Sequence, residues 1–230
     1  SKILENLPTD DKRITFIHKA LSELHQDLKQ KGSGLNVLFG DPVELVPKFA
    51  KQNDINTLYY NRDYEPYAVK RDQGVEKELK NLRIDCKNYR DHVIFEPHEV
   101  LKKDRSPYKV FTPFKNLWTK QFVDDFARAK KFAIKSNNLA KEVPSNMEDH
   151  NWMKKLGFNS QKLSIPTGRK GAEKKLTEFK KRVNSYHETR NLLEESSTSG
   201  LSPYLRHGLL SIREVLSLGV QDNRITHEVF

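Results

Sequence analysis

The chain has 230 residues and a mass of 26.8 kDa, which suits one large domain or one domain and part of another. Apolar residues form only 36% of the sequence but fall in periodic clusters, so we do not expect disorder of the whole chain. Cys86 is the single cysteine, which excludes an internal disulfide. Lysine and arginine outnumber aspartate and glutamate by 41 to 31, and the resulting charge of +10 favours a polyanionic partner without identifying it.

No apolar run approaches the ~20 residues that a membrane-spanning helix needs, and the first ten residues lack the apolar centre of a signal peptide. A single cysteine also suits a reducing compartment. We therefore expect a cytoplasmic protein that does not cross a membrane.

Helical and strand patterns alternate through the first half of the sequence. Apolar residues at steps of three and four predict helices over residues 14–28, 43–50, 69–82 and 114–122. Short apolar runs predict strands over residues 35–39, 55–60 and 93–95. This alternation predicts an α/β fold with a mainly parallel, Rossmann-like sheet. Since the pattern opens with a helix, we expect one or two strands to be missing at its start.

The periodicity fades over residues 132–171, which we interpret as a connector on the surface, anchored by Trp152, Leu156 and Phe158. Helical spacing returns over residues 172–186, and Ser202 with Pro203, then Ser211, predict two further helix starts. We therefore predict three parts: an α/β domain over residues 1–131, the connector over 132–171, and the beginning of an all-helical domain over 172–230.

Residues 198–202 read Thr-Ser-Gly-Leu-Ser and directly precede a predicted helix. Three hydroxyl side chains, a flexible Gly200 and backbone N–H groups at the start of a helix could together hold a phosphate. A serine cap that binds no ligand explains the same residues. Chemistry alone favours the cap.

Two other segments each admit two interpretations. Residues 61–72, NRDYEPYAVKRD, follow a predicted strand and are either a ligand site at the end of a parallel strand or a charged loop. Residues 108–118, YKVFTPFKNLW, are either a base-stacking surface or, as we favour, a turn and helix whose aromatic rings pack inside. The eight histidines show no metal-ligand spacing, so we predict no metal site.

Three segments together resemble those of the cryptochrome/photolyase family: YYNRDYEPYAVKRD at residues 59–72, YKVFTPFKNLW at 108–118 and TSGLSPYLRHG at 198–208. The resemblance extends over residues 9–219, and the wording of the second segment is most similar to class I cyclobutane pyrimidine dimer photolyases. It implies an N-terminal α/β domain, a connector and a helical FAD-binding domain, of which this chain would contain only the first part.

The resemblance also implies a cofactor site. Thr198, Ser199, Gly200, Leu201 and Ser202 match the family's turn around the FAD diphosphate, and Tyr186 matches a further position that meets the cofactor. No residue is catalytic in its own right, because the reduced flavin gives the electron. Folate-binding members carry an Asn-Glu pair where this chain has Tyr67 and Ala68, so the identity of any antenna chromophore is left open.

The implied function is light-driven repair of pyrimidine dimers in damaged DNA by a protein that we expect to be monomeric. We expect the 230-residue chain by itself to be inactive. Two alternatives remain: a cryptochrome-type blue-light receptor without repair activity, and a non-enzymatic module that binds nucleotides or nucleic acid.

Overall fold

A computed structural model describes residues 4–126, 138–141, 152–192, 198–221 and 224–225, with only the backbone given at 123–126 and beyond 219. The chain divides into two compact units. Unit 1 comprises Ser1–His92 with Lys135–Gly168, and unit 2 comprises Val93–Ile134 with Arg169–Phe230. None of the helices within the described residues is both long enough and apolar enough to cross a bilayer.

The described helices and strands follow one another along both units. In chain order they are α1 (Lys12–Gln30), α2 (Pro42–Gln52), β1 (Thr57–Asn61), α3 (Pro66–Asn81), β2 (Asp85–Tyr89), α4 (Phe111–Phe126), α5 (Trp152–Lys155), α6 (Gly168–Lys180), α7 (Tyr186–Thr189), α8 (Ser202–Arg206), α9 (Ile212–Leu216), β3 (Val220–Gln221) and β4 (Arg224–Ile225). Single 3₁₀ turns over Val183–Ser185 and Ser217–Gly219 precede α7 and follow α9.

A parallel β-α-β arrangement forms the centre of unit 1. Strands β1 and β2 pair in parallel from Thr57 opposite Asp85 to Asn61 opposite Tyr89, and α3 is the crossover between them. One face of this sheet packs on α2 and α3 around a core of Ala50, Val75, Leu79 and Ile84. The predicted α/β class with a parallel sheet is therefore confirmed.

A second apolar cluster in unit 1 joins α1 to the short helix α5. Ile14 of α1 packs with Trp152, Met153 and Phe158, all four of which are buried. Two backbone hydrogen-bond donors of the later segment also reach this region: Asn159 donates to the carbonyl of Thr9, and Gln161 to the hydroxyl of Thr15. Trp152 and Phe158 thus anchor their segment as predicted, and Leu156 packs at the edge of the same cluster.

Among the described residues of unit 2, the regular secondary structure is helical apart from a short hairpin. The apolar side of α4 packs around Ile94, Phe122 and Leu216, with Trp118 stacked on Phe122. Helix α9 begins at a complete capping box, in which Ser211 and Glu214 each bond the other's backbone, as the sequence predicts for Ser211. Strands β3 and β4, which the sequence did not predict, form an antiparallel pair.

Two predicted strands are wrong, and β2 was missed. Residues 35–39 join no described strand. The Leu35 N–H donates instead to Nδ1 of the buried His25, and the side chains of Leu35 and Val37 pack on the α1 cluster. Residues 93–95 are irregular, and Ile94 is buried in the core of unit 2 instead. Strand β2 is mostly polar because one of its faces is exposed.

The compact units reflect spatial contact, whereas the predicted domains follow the order of the sequence. Part of the predicted connector, residues 152–168, packs within unit 1, and α4 belongs to unit 2. The boundaries at residues 131 and 171 stay a prediction, since a compact unit need not coincide with an independently folding domain.

Candidate functional site

The backbone of residues 198–202, called the hydroxyl turn below, makes a tight bend in unit 2 just before α8. Gly200 has φ +66°, a left-handed conformation that glycine adopts without the steric cost a Cβ would bring. The Ser199 hydroxyl oxygen accepts a hydrogen bond from the Leu201 N–H at 3.4 Å. Pro203 lies in the first turn of α8, as predicted from its fixed φ.

The outer side of the hydroxyl turn is open. Thr198, Gly200 and Ser202 are exposed, and neither the Thr198 nor the Ser202 hydroxyl bonds another described residue. A Cβ placed on Gly200 would meet no described heavy atom within 4 Å. Hydroxyls and backbone N–H groups around open space fit a diphosphate group, which needs several donors at once.

The inner side of the hydroxyl turn is held by two buried side chains. Leu201 and Tyr204 are both fully buried, and the Leu201 carbonyl accepts hydrogen bonds from the N–H groups of Tyr204 and Leu205, each at 3.0 Å. Burial, and next the negative charge of Glu178 on α6, raise the pKa of the Tyr204 phenol. The turn is therefore anchored by two buried side chains.

Tyr186, the other predicted cofactor residue, lies at the start of α7. Its ring meets that of the buried Phe179 edge to face, with centroids 5.1 Å apart. Phe179 lies in the last turn of α6, so Tyr186 packs on the end of that helix.

Arg169 of α6 and Glu214 of α9 form an ion pair that the sequence analysis missed. Arg169 of α6 donates from Nη2 to Oε1 of Glu214 at 2.6 Å and from Nη1 to Oε2 at 2.9 Å. The same Nη1 reaches the carbonyl of Leu209 at 2.9 Å. No local sequence signal could have indicated this pair, because its members are 45 residues apart.

A second polar cluster lies in unit 1, between the sheet and α3. The Tyr60 hydroxyl donates to Oε1 of Glu76 at 2.5 Å, and Nδ2 of Asn88 donates to the same oxygen at 2.9 Å. Arg62 donates from Nη1 to Oδ1 of Asn88 at 2.7 Å. This network joins the carboxyl ends of β1 and β2 to the crossover helix.

The segment at residues 61–72 uses several of its polar groups internally. Asn61 donates to Asp91 at 3.2 Å, the Arg62 N–H donates to the Tyr89 carbonyl at 2.9 Å, and Asp63 accepts from the Tyr64 N–H at 2.7 Å. These contacts support the interpretation as a structural loop, which needs no ligand. Ala68, at the second position of the family's Asn-Glu pair, is buried, whereas the preceding Tyr67 is exposed.

The Tyr60 contact predicts a fall in stability at alkaline pH. Burial, followed by the hydrogen bond to Glu76, raises the pKa of Tyr60 to about 12, above its value of about 10 in an unfolded chain. The folded state therefore keeps this proton longer, so the contribution is fully present below pH ~10 and is lost between pH ~10 and ~12.

Urea unfolding of the wild type and of Tyr60→Phe, measured from pH 8 to 12, tests this. The wild type is expected to lose more stability than the variant across the upper two pH units, since the other tyrosines are common to both. Parallel pH profiles would contradict the expectation.

The segment at residues 108–118 is only partly packed. Trp118 packs on Phe95 and Phe122, and Tyr108 meets Phe114 edge to face. Phe111, in contrast, is 72% exposed. The prediction that these aromatic rings pack inside is therefore met only in part, since Tyr108, Phe114 and Trp118 are half-buried, and it is wrong for Phe111.

The single cysteine, Cys86, is half-buried in strand β2. Burial, assisted by the nearby carboxylates of Glu76 and Asp85, raises the pKa of the Cys86 thiol, which keeps it protonated at neutral pH. Within the described parts of the chain, no three His, Cys, Asp or Glu side chains are grouped so that they could hold a metal ion.

Comparison with known proteins relates both units to one family. The DNA photolyase family model matches residues 3–132, more than half of the chain. The deoxyribodipyrimidine photo-lyase of Synechococcus sp. (strain PCC 6301) is 31% identical over 217 residues, which cover 93% of this chain and 45% of the relative. The chain therefore spans about half the length of the curated relatives that it matches.

Solved structures share the fold. A cryptochrome of Synechocystis sp. PCC6803 superposes with a TM-score of 0.71 at 20% identity, covering 94% of this chain and 47% of the cryptochrome. An archaeal photolyase of Sulfolobus tokodaii, described as holding two FAD molecules, superposes with a TM-score of 0.59 at 24% identity, covering 93% of this chain and 45% of that protein.

Proposed function

Because the chain belongs to the DNA photolyase family, we propose that it is part of a deoxyribodipyrimidine photo-lyase, which uses light to split cyclobutane pyrimidine dimers in DNA. The observation that carries this proposal is the 31% identity to a photo-lyase over 93% of the chain, which includes the hydroxyl turn. The class I subclass is part of the proposal and rests on the wording of residues 108–118.

The hydroxyl turn is the proposed site for the diphosphate of FAD. Thr198, Ser199 and Ser202 supply hydroxyl groups, Gly200 leaves room for close approach of the backbone, and Leu201 anchors the turn in the core. Tyr186 is proposed as a further contact. When bound and reduced, the flavin supplies the light-driven electron, so these residues bind and orient it and transfer no proton.

The proposed partner is DNA that contains pyrimidine dimers, and the charge of +10 supports binding to its phosphates. We further propose a monomeric, cytoplasmic protein. A second, antenna chromophore in unit 1 is proposed without an identity, because Tyr67 and Ala68 lack the carboxylate of the folate-binding pair.

The test is an absorption spectrum of the intact protein, followed by an assay of dimer repair. Bands of oxidised flavin, and loss of dimers from a DNA duplex only under blue light, are the expected results. Flavin without dimer loss would favour a photoreceptor instead. Salt-dependent DNA binding without any flavin would favour a nucleic-acid-binding module, and the proposal would then be wrong.

A further inference from the structure

The guanidinium of Arg169 joins three elements of unit 2. It pairs with both carboxylate oxygens of Glu214 on α9 and with the backbone carbonyl of Leu209, which lies between α8 and α9. Its Nε donates to Glu173, one turn further along α6, at 2.8 Å. An arginine suits such a junction because its planar guanidinium carries five N–H donors, whereas a lysine presents one compact ammonium group.

Glu214 is held in place from its own side. Its Oε2 accepts the Ser211 N–H at 2.9 Å, which completes the capping box at the start of α9. The pairing with Glu214 is the main cause that raises the pKa of Arg169. The carboxylate therefore ties the beginning of α9 to the beginning of α6.

A continuous series of hydrogen bonds leads from Arg169 to the hydroxyl turn. Arg169 donates to the Leu209 carbonyl, and the Leu209 N–H donates to the Tyr204 carbonyl at 2.8 Å. The Tyr204 N–H donates to the Leu201 carbonyl at 3.0 Å. The Leu201 N–H in turn donates to the Ser199 hydroxyl oxygen.

We propose that Arg169 is a positioning residue for the diphosphate-binding turn: through Leu209 and Tyr204 it fixes the backbone that presents Ser199 and its neighbours. Arg169 touches no residue of the turn itself, so its effect is indirect. This inference rests on the proposed function, because it assigns Arg169 to the same site.

The test compares FAD affinity and local amide exchange in the intact protein. Arg169→Ala is expected to weaken FAD binding between about threefold and thirtyfold, the range typical of residues that couple to a site without touching it. Hydrogen exchange should accelerate at the Leu201 and Tyr204 amides. It should stay unchanged at Leu79, in the core of unit 1, because a positioning role loosens the turn alone.

Three further variants separate the ion pair from the helix cap. Glu214→Gln keeps a residue that can complete the capping box and leaves the bond from Arg169 to the Leu209 carbonyl, so it should weaken FAD binding less than Arg169→Ala. The double variant should be no weaker than Arg169→Ala alone, because Glu214 acts on the turn through Arg169. Arg169→Lys should restore only part of the affinity.

Arg13→Ala is the matched control. Arg13 lies on α1 in unit 1, and its Nη2 pairs with Oδ2 of Asp11 at 2.6 Å. Its removal should change FAD affinity less than twofold. If the wild type binds FAD and Arg169→Ala binds it equally well, the positioning role is wrong while the proposed function stands. If the wild type itself does not bind FAD, the proposed function fails and this inference with it.

Discussion

Replacing Thr198 by valine and Ser202 by alanine together is expected to lower the affinity for FAD about 100-fold or more. A hydrogen bond to a charged group contributes about 1.5–3 kcal/mol, and two of them are removed. Neither hydroxyl bonds another described residue, so the fold should be unaffected. Ser199 is kept, because its hydroxyl oxygen already holds the Leu201 N–H. Flavin fluorescence during titration of the intact protein measures the change.

The matched control removes the same two chemical groups elsewhere. The Thr177 hydroxyl donates to the Glu173 carbonyl, and the Ser22 hydroxyl donates to the His18 carbonyl, both within helices. The double variant Thr177→Val and Ser22→Ala should bind FAD as the wild type does. A loss below tenfold in the Thr198/Ser202 variant would mean that the hydroxyl turn does not hold the diphosphate.

Replacing Leu79 by alanine is expected to destabilise unit 1 by about 2–5 kcal/mol. Leu79 has no exposed surface and lies among Ala50, Val75 and Ile84, between α3 and the parallel sheet. The Cγ methine and both Cδ methyl groups would be lost from a fully buried position, which leaves a cavity unless the neighbours move. Urea unfolding followed by circular dichroism measures the change.

Leu82 provides the comparison for this variant. It follows α3 directly and is 36% exposed, so Leu82→Ala removes the same atoms from a half-open position. The expected cost is below about 1 kcal/mol. Equal effects of the two substitutions would show that the packing of α3 on the sheet is not what stabilises unit 1.

The helix ends were predictable because their signals are local. The Asp41 and Ser211 side chains cap α2 and α9 through backbone N–H groups within three residues, and Pro203 has the fixed φ of a first helical turn in α8. The hydroxyl turn was recognisable for the same reason, since all of its donors lie within five consecutive residues.

The strands were predicted less well because the order of polar and apolar residues in a strand depends on which of its faces is buried. Strand β2 reads Asp-Cys-Lys-Asn-Tyr, and only alternate residues face α3. Residues 35–39 and 93–95 are apolar enough for strands, yet both are irregular: Leu35 and Val37 pack at the edge of the α1 cluster, and Ile94 is buried in the core of unit 2. Apolar residues can be buried without taking part in the hydrogen bonds of a sheet.

The sequence by itself determined the α/β class, the presence of the longer helices and the cluster of hydroxyl groups before Pro203, because periodicity, caps and turns act over a few residues. It did not determine the helix bounds: the helix predicted over residues 172–186 ends at Lys180. Only the tertiary structure decided that Tyr60, Glu76 and Asn88 share one hydrogen-bond network. The same is true of the ion pair between Arg169 and Glu214. Such contacts join residues that lie far apart in the chain, and they depend on how helices and strands pack, which no local pattern encodes.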